Sequence, residues 1–173
     1  MEYFRGDLTP EPSVVLTKEL LVASRIPRSL WRCELCKIPD NFTYKKLLVG
    51  YLENAPTLEL DGRGLYLYGP YGRGKSGAAA ALGKDILRRG GRLTFFSALD
   101  LDPVFGKGSD YELRDAVLKT HFLIFDDVGA EKAIPWSPQW VETIIKLRNN
   151  DNLPTFITSN DKPIDFIGRM KSI

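Results

Sequence analysis

The chain has 173 residues, a net charge of +2, 43% hydrophobic and 27% charged residues, the composition of a soluble globule long enough for a real core. So small a net charge excludes bulk attraction to nucleic acid; any such surface has to be a local patch. No apolar run reaches the length of a membrane span and Met1-Glu2-Tyr3-Phe4-Arg5 does not read as a signal peptide, which predicts a cytoplasmic protein with no membrane partner.

Residues 1–40 read as an N-terminal arm and helical lead-in, and residues 41–173 as the main domain. The arm is polar to Pro12. Ser13 or Thr17 is placed to cap a short helix to about Ser24, with Leu16, Leu20 and Leu21 on one side. Arg25-Ile26-Pro27-Arg28-Ser29-Leu30-Trp31-Arg32 is basic with an aromatic; it reads as a solvated connector or as a contact for nucleic acid or a partner. Cys33 and Cys36 form a C-x-x-C. A zinc site needs about four ligands and a redox motif needs a surrounding βαβ pattern. His121 is the sole histidine and is distant in sequence, so two partly buried thiols are expected. Thr43 is placed to cap a helix to about Asn54, with Leu47, Leu48, Tyr51 and Leu52 on its apolar face.

Leu65-Tyr66-Leu67-Tyr68 reads as a strand, and Ser76 to Arg89 as a helix closed by Gly90-Gly91. Arg92-Leu93-Thr94-Phe95-Phe96 is a second strand. A mixed stretch follows, then a helix capped by Ser109 or Asp110 and running to about Lys119. The unbroken apolar run from His121 to Phe125, ending in Asp126-Asp127, is that of a parallel strand buried on both faces. An amphipathic helix from Trp136 to Asn149, a strand over 154–160 and a helix from Asp161 to Met170 complete the chain. Strands alternating with helices predict an α/β fold, a parallel sheet flanked by helices with its ligands at the carboxyl ends of the strands.

Between the first strand and its helix stands Gly69-Pro70-Tyr71-Gly72-Arg73-Gly74-Lys75-Ser76, followed by Gly77. It fits G-x-x-x-x-G-K-[ST], the phosphate-binding loop. Glycines let the backbone curl and aim N–H groups at phosphate oxygens. Lys75 supplies a charge for the β- and γ-phosphates and Ser76 a hydroxyl for Mg²⁺, while the helix dipole points the same way. The plainer alternative is a Gly-rich turn with an exposed lysine. Asp126 and Asp127 would complete the site, Asp126 holding Mg²⁺ and Asp127 orienting or deprotonating the attacking water. Asn160 closes the last strand on the same rim. It could hold that water, or simply cap the helix that follows.

These motifs, with Phe-Asp-Asp-Val-Gly-Ala-Glu-Lys over 125–132 and Thr-Phe-Ile-Thr-Ser-Asn over 155–160, resemble AAA+ ATPases of the DnaC/IstB group. The likeness extends over roughly residues 25–170. It implies a P-loop NTPase of the AAA+ (ASCE) type, with Lys75 and Ser76 as Walker A, Asp126 and Asp127 as Walker B, and Asn160 as sensor 1. It further implies ATP and Mg²⁺, self-association through the ATP site, single-stranded DNA and a replicative helicase as partners. A transposition ATPase acting on duplex DNA, a nucleotide-dependent interaction module and, outside the group, a small-molecule kinase are the alternatives. Members of the group continue into an arginine finger, a fifth strand and a helical lid. This chain stops at Ile173, so a core without a C-terminal lid and with weak hydrolysis is expected. Arg169 lies near where the finger motif begins, and a surface arginine is the plainer reading. Phe105 and Lys107 offer an aromatic beside a cation for single-stranded DNA, and Asn41 and Phe42 are candidates for the adenine.

Overall fold

Among the described residues four parallel strands form one sheet, in the order β1-β4-β3-β2. The computed structural model describes residues 8–9, 11–106, 110–129 and 137–170. The strands are β1 (Leu65–Tyr68), β2 (Leu93–Ser97), β3 (Phe122–Val128) and β4 (Thr155–Ser159). The helices are α1 (Lys18–Ala23), α2 (Thr43–Glu53), α3 (Ala55–Leu60), α4 (Lys75–Arg88), α5 (Leu101–Phe105), α6 (Tyr111–Lys119), α7 (Ser137–Asn150) and α8 (Pro163–Met170). Among the described residues no helix is long and apolar enough to cross a membrane.

β3 shows why the sheet is buried on both sides. Successive side chains of a strand point to opposite faces. Phe122 and Ile124 join Leu82, Ile86 and Phe156 under α4, while Leu123 and Phe125 join Phe96, Val141, Ile144 and Ile157 on the other side. An apolar run with no alternation is therefore what this strand needs. The parallel register pairs Leu65 with Phe156 and Tyr68 with Ser159, and Leu93 with Phe122. Gly64 is held to glycine by a close approach: a Cβ there would lie 1.9 Å from the Thr155 carbonyl oxygen.

The lead-in differs from the solvated connector expected for residues 25–32. Ile26 is buried, the Trp31 indole donates to the Ile26 carbonyl at 2.8 Å, and the Phe95 N–H donates to the Ser24 carbonyl at 2.9 Å. The reason lies in α4. Lys84 is fully buried and donates to the Trp31 carbonyl at 2.7 Å and to Glu34 at 2.6 Å, and Arg88 donates to the other Glu34 oxygen at 2.9 Å. Cys33 packs against Gly77, where a Cβ would meet its sulfur at 3.2 Å. Cys33 is half-buried, Cys36 is exposed, and both are free thiols. Thr17, of the two candidates, caps α1, its hydroxyl accepting from the Leu20 N–H at 3.2 Å. Thr43 is not a cap but the first residue of α2. That helix ends at Glu53, and Pro56 opens α3, a turn of helix not expected from the sequence.

Candidate nucleotide-binding site

The loop from Gly69 to Gly74 leaves β1 and enters α4 with Gly72 at φ +75° and Gly74 at φ +77°. Nothing crowds either position. Glycine is required there by the left-handed backbone itself. Gly74 is the N-cap of α4, so the helix starts at Lys75 with Ser76 and Gly77 in its first turn. Pro70, Tyr71, Arg73 and the glycines between them lie largely exposed. This presents the N-terminal N–H groups of a fourteen-residue helix toward the carboxyl rim of the sheet.

Lys75 is turned back over the loop. Its ammonium donates to the Gly69 carbonyl at 3.0 Å, the Pro70 carbonyl at 3.1 Å and the Asn160 side-chain oxygen at 2.8 Å. Asn160 directly follows β4, which lies between β1 and β3. The strand order thus brings the ends of β1, β4 and β3 side by side.

Asp126 is 8% exposed near the end of β3. The Thr158 hydroxyl donates to it at 2.6 Å, and Ser76 is a second hydroxyl partner. Burial pushes the Asp126 carboxyl above the usual carboxylate range. The Thr158 and Ser76 hydrogen bonds and the Lys75 charge oppose that, while the neighbouring Asp127 charge adds to it. Asp127 is half-buried, with a backbone φ of +54°. A non-glycine residue in that region is strained, and such strain collects at functional sites. A hydroxyl and a buried carboxylate in contact, with no further His, Cys, Asp or Glu grouped into a three-member cluster among the described residues, suit a hard divalent ion that keeps most of its shell for water and phosphate.

Beside the loop opens a cleft of about 200 Å³ lined by Tyr44, Leu47, Tyr66, Leu67, Tyr68, Arg73, Lys75 and Ala78. Phe42 stands next to it, 44% exposed and 5.4 Å from the Tyr44 ring, but the α2 side chains that line the cleft are Tyr44 and Leu47. The sequence reading passed over Tyr44. Its spacing of three from Leu47 on one helix was the available signal.

Phe105 is not available for base stacking. It is 5% exposed, packed 5.0 Å from Trp140 with the Arg114 guanidinium over its ring at 5.5 Å. An aromatic this size gains more from burial against Phe96 and Trp140 than from solvent. Lys107, Glu131, Lys132 and the side chain of Arg169 lie outside the described residues.

The family described as RNA helicase matches residues 65–166, from the first residue of β1 into α8. The replicative helicase loader DnaI of Bacillus subtilis (strain 168) is 32% identical over 111 residues, covering 59% of this chain and 34% of that protein. The chain therefore spans about a third of the length of that curated relative. The crystal structure of the DnaC helicase loader superposes with a TM-score of 0.72 at 25% identity, covering 83% of this chain and 90% of that one. A putative primosome component from Streptococcus pyogenes serotype M3 gives a TM-score of 0.65 at 26% identity, covering 90% and 92% of the two chains. The chain belongs to the family that the RNA helicase description covers, and its parallel P-loop sheet is an AAA+ core of the DnaC helicase-loader group.

Proposed function

We propose that this chain binds ATP with Mg²⁺ and uses the bound nucleotide to control its grip on a replicative helicase and single-stranded DNA. The observation that carries the reading is the meeting of Lys75, Asn160, Ser76 and Asp126 on one rim of the sheet. On this reading Gly69 to Gly77 wrap the phosphates, and Lys75 leaves the Gly69 and Pro70 carbonyls to reach the β- and γ-oxygens. The apolar cleft beside Tyr44 and Leu47 takes the base. Ser76 and Asp126 would hold Mg²⁺, which when bound neutralises charge on the transferred phosphoryl group. Asp127 accepts a proton from the attacking water, and Asn160 orients that water once Lys75 has moved to the phosphates. The name of the DnaI relative supports the helicase as partner. Self-association through the ATP site would supply groups in trans, as expected of a site this open.

The test is equilibrium binding of a fluorescent N-methylanthraniloyl ATP with and without Mg²⁺, together with pull-down of a replicative hexameric helicase in ATP and in ADP. Micromolar or tighter binding that Mg²⁺ strengthens, and nucleotide-dependent helicase capture, are the expected results. Absence of nucleotide binding would overturn the site. Binding without helicase capture, but with assembly on duplex DNA, would favour the transposition ATPases of the same group.

A further inference from the structure

The ladder between β3 and β4 has a defect at the acid pair. Phe125 faces Ile157 and Val128 faces Ser159. Between those pairs β3 carries Asp126 and Asp127, whereas β4 carries Thr158 alone. Two residues opposite one is a β-bulge, which re-aims a side chain and leaves backbone groups without ladder partners. Those groups have to be satisfied in some other way.

Two consecutive β4 hydroxyls do this. The Asp127 N–H donates to the Thr158 Oγ1 at 2.9 Å, and the Thr158 hydroxyl donates onward to Asp126 Oδ1 at 2.6 Å. The Ser159 hydroxyl donates to the Val128 carbonyl at 2.5 Å and accepts the Asp161 N–H at 3.1 Å. Thr158 is fully buried, so its hydroxyl has little freedom to exchange partners. One oxygen therefore does two things. It bonds the Asp127 N–H, whose residue stands at φ +54°, and it ties Asp126 Oδ1 to β4, while Ser76 is a further hydroxyl partner of that carboxylate.

We infer that Thr158 is a positioning residue for the metal–nucleotide site, its hydroxyl locking the Asp126–Asp127 bulge so that both carboxylates face the phosphate loop. The inference rests on the nucleotide-binding reading above. It goes further by naming a residue that touches neither phosphate nor metal and yet sets the Mg²⁺ requirement. Partners that orient metal-binding carboxylates typically contribute 10–100-fold in metal affinity. The expected loss on removing the hydroxyl lies in that range.

The experiment compares wild type with Thr158→Val and Thr158→Ser. Val keeps the shape and removes the hydroxyl; Ser keeps the hydroxyl. Binding of N-methylanthraniloyl ATP is measured in EDTA and then across a Mg²⁺ titration. For Thr158→Val, affinity in EDTA should stay within about twofold, while the Mg²⁺ midpoint should rise by about tenfold or more. Thr158→Ser should restore the midpoint to within about threefold of wild type. A wild-type midpoint in Thr158→Val would overturn the inference, and so would an equal loss of affinity in EDTA and in Mg²⁺. Should Thr158→Val not fold, amide exchange of wild-type Asp127 decides. Protection matching the β3 ladder supports the lock, and free exchange refutes it. Nucleotide binding by wild type that ignores Mg²⁺ would remove the metal-site reading itself, a result distinct from a normal Mg²⁺ response shared by wild type and Thr158→Val.

Discussion

The Lys75 ammonium donates to the Asn160 side-chain oxygen at 2.8 Å, joining the start of α4 to the end of β4 across eighty-five positions of sequence. Here the lysine proposed to meet phosphate is held by an amide and two loop carbonyls. On that proposal, nucleotide has to take it from them. Phosphate binding and the position of Asn160 are then coupled, because the ammonium cannot serve both with the same geometry.

Comparing the two replacements should separate binding from turnover. Lys75→Ala should abolish detectable nucleotide binding. Asn160→Ala should leave affinity within about threefold and lower turnover by about 100-fold, the low end of what a positioned group contributes to proton transfer. Single-turnover ATP hydrolysis beside equilibrium binding checks this. Equal losses in both quantities for Asn160→Ala would remove Asn160 from the chemical step.

Asp126 makes stability depend on pH in a defined direction. Its carboxyl is raised in the folded state chiefly by burial. The folded state therefore binds the proton more tightly than the unfolded one. The stability this confers is complete below the unfolded carboxylate pKa and is lost as pH rises through the elevated folded value. Asp126→Asn should thus melt higher than wild type at pH 8 without nucleotide, with the gap closing toward pH 4. Thermal unfolding across that range checks it. A gap that widened on acidification would contradict the burial argument.

Glu34 should hold the lead-in to α4. Burial pushes its carboxyl up, but hydrogen bonds and charge from Lys84 and Arg88 outweigh that and hold it below the usual range. Glu34→Gln leaves the Lys84 ammonium, with 0% of its side chain exposed, without its counter-charge. Breaking one partner of a buried pair costs about 3–5 kcal/mol. Because Glu34 keeps 21% of its side-chain surface in water, a loss of about 3 kcal/mol is expected from urea unfolding at pH 7. The sign follows the lowered pKa: the contribution is present above the unfolded value and is lost as pH falls through the folded one. The difference between the two proteins should therefore shrink below about pH 4.

Arg148 is a structural cation. It is fully buried and donates to the carbonyls of Val117, Thr120, His121 and Pro154 and to the Thr155 hydroxyl, all within 3.1 Å. Burial pulls its guanidinium down to about 9, which still leaves it protonated at neutral pH. Arg148→Met would strand several carbonyls at the end of α6 and the start of β3, at about 1–3 kcal/mol for each buried group left unpaired. Failure to accumulate as soluble protein, or a midpoint loss of at least about 3 kcal/mol, is expected. Near-normal unfolding would show that water replaces the guanidinium.

Tyr44 tests the cleft. Tyr44→Ala should weaken ATP and ADP binding alike, by about tenfold, the scale of one aromatic stacking contact. The Mg²⁺ midpoint should not move. A change confined to ATP would place Tyr44 near the phosphates instead of the base.

The local patterns were legible in the chain itself. Gly72 and Gly74 are needed for a left-handed turn, the β3 run is apolar because both faces of that strand are covered, and Asp126-Asp127 follows it; each depends only on neighbours in sequence. Strand boundaries differed from the reading by about a residue, since ladder ends are set by partners. What the sequence could not state was decided by packing between distant segments. Lys84 and Arg88 carry no mark in the sequence of the partner they take; only the fold brings Glu34 to them. Phe105 read as a surface aromatic until Trp140 and Arg114 enclose it. Thr158 lies in the motif over 155–160, but its bonds to Asp126 and Asp127 exist only because the β3 bulge places two acids opposite it. A side chain's identity limits which bonds it can make, but a partner fifty or a hundred positions away determines which it does make, and only the folded sheet brings those partners within hydrogen-bonding distance.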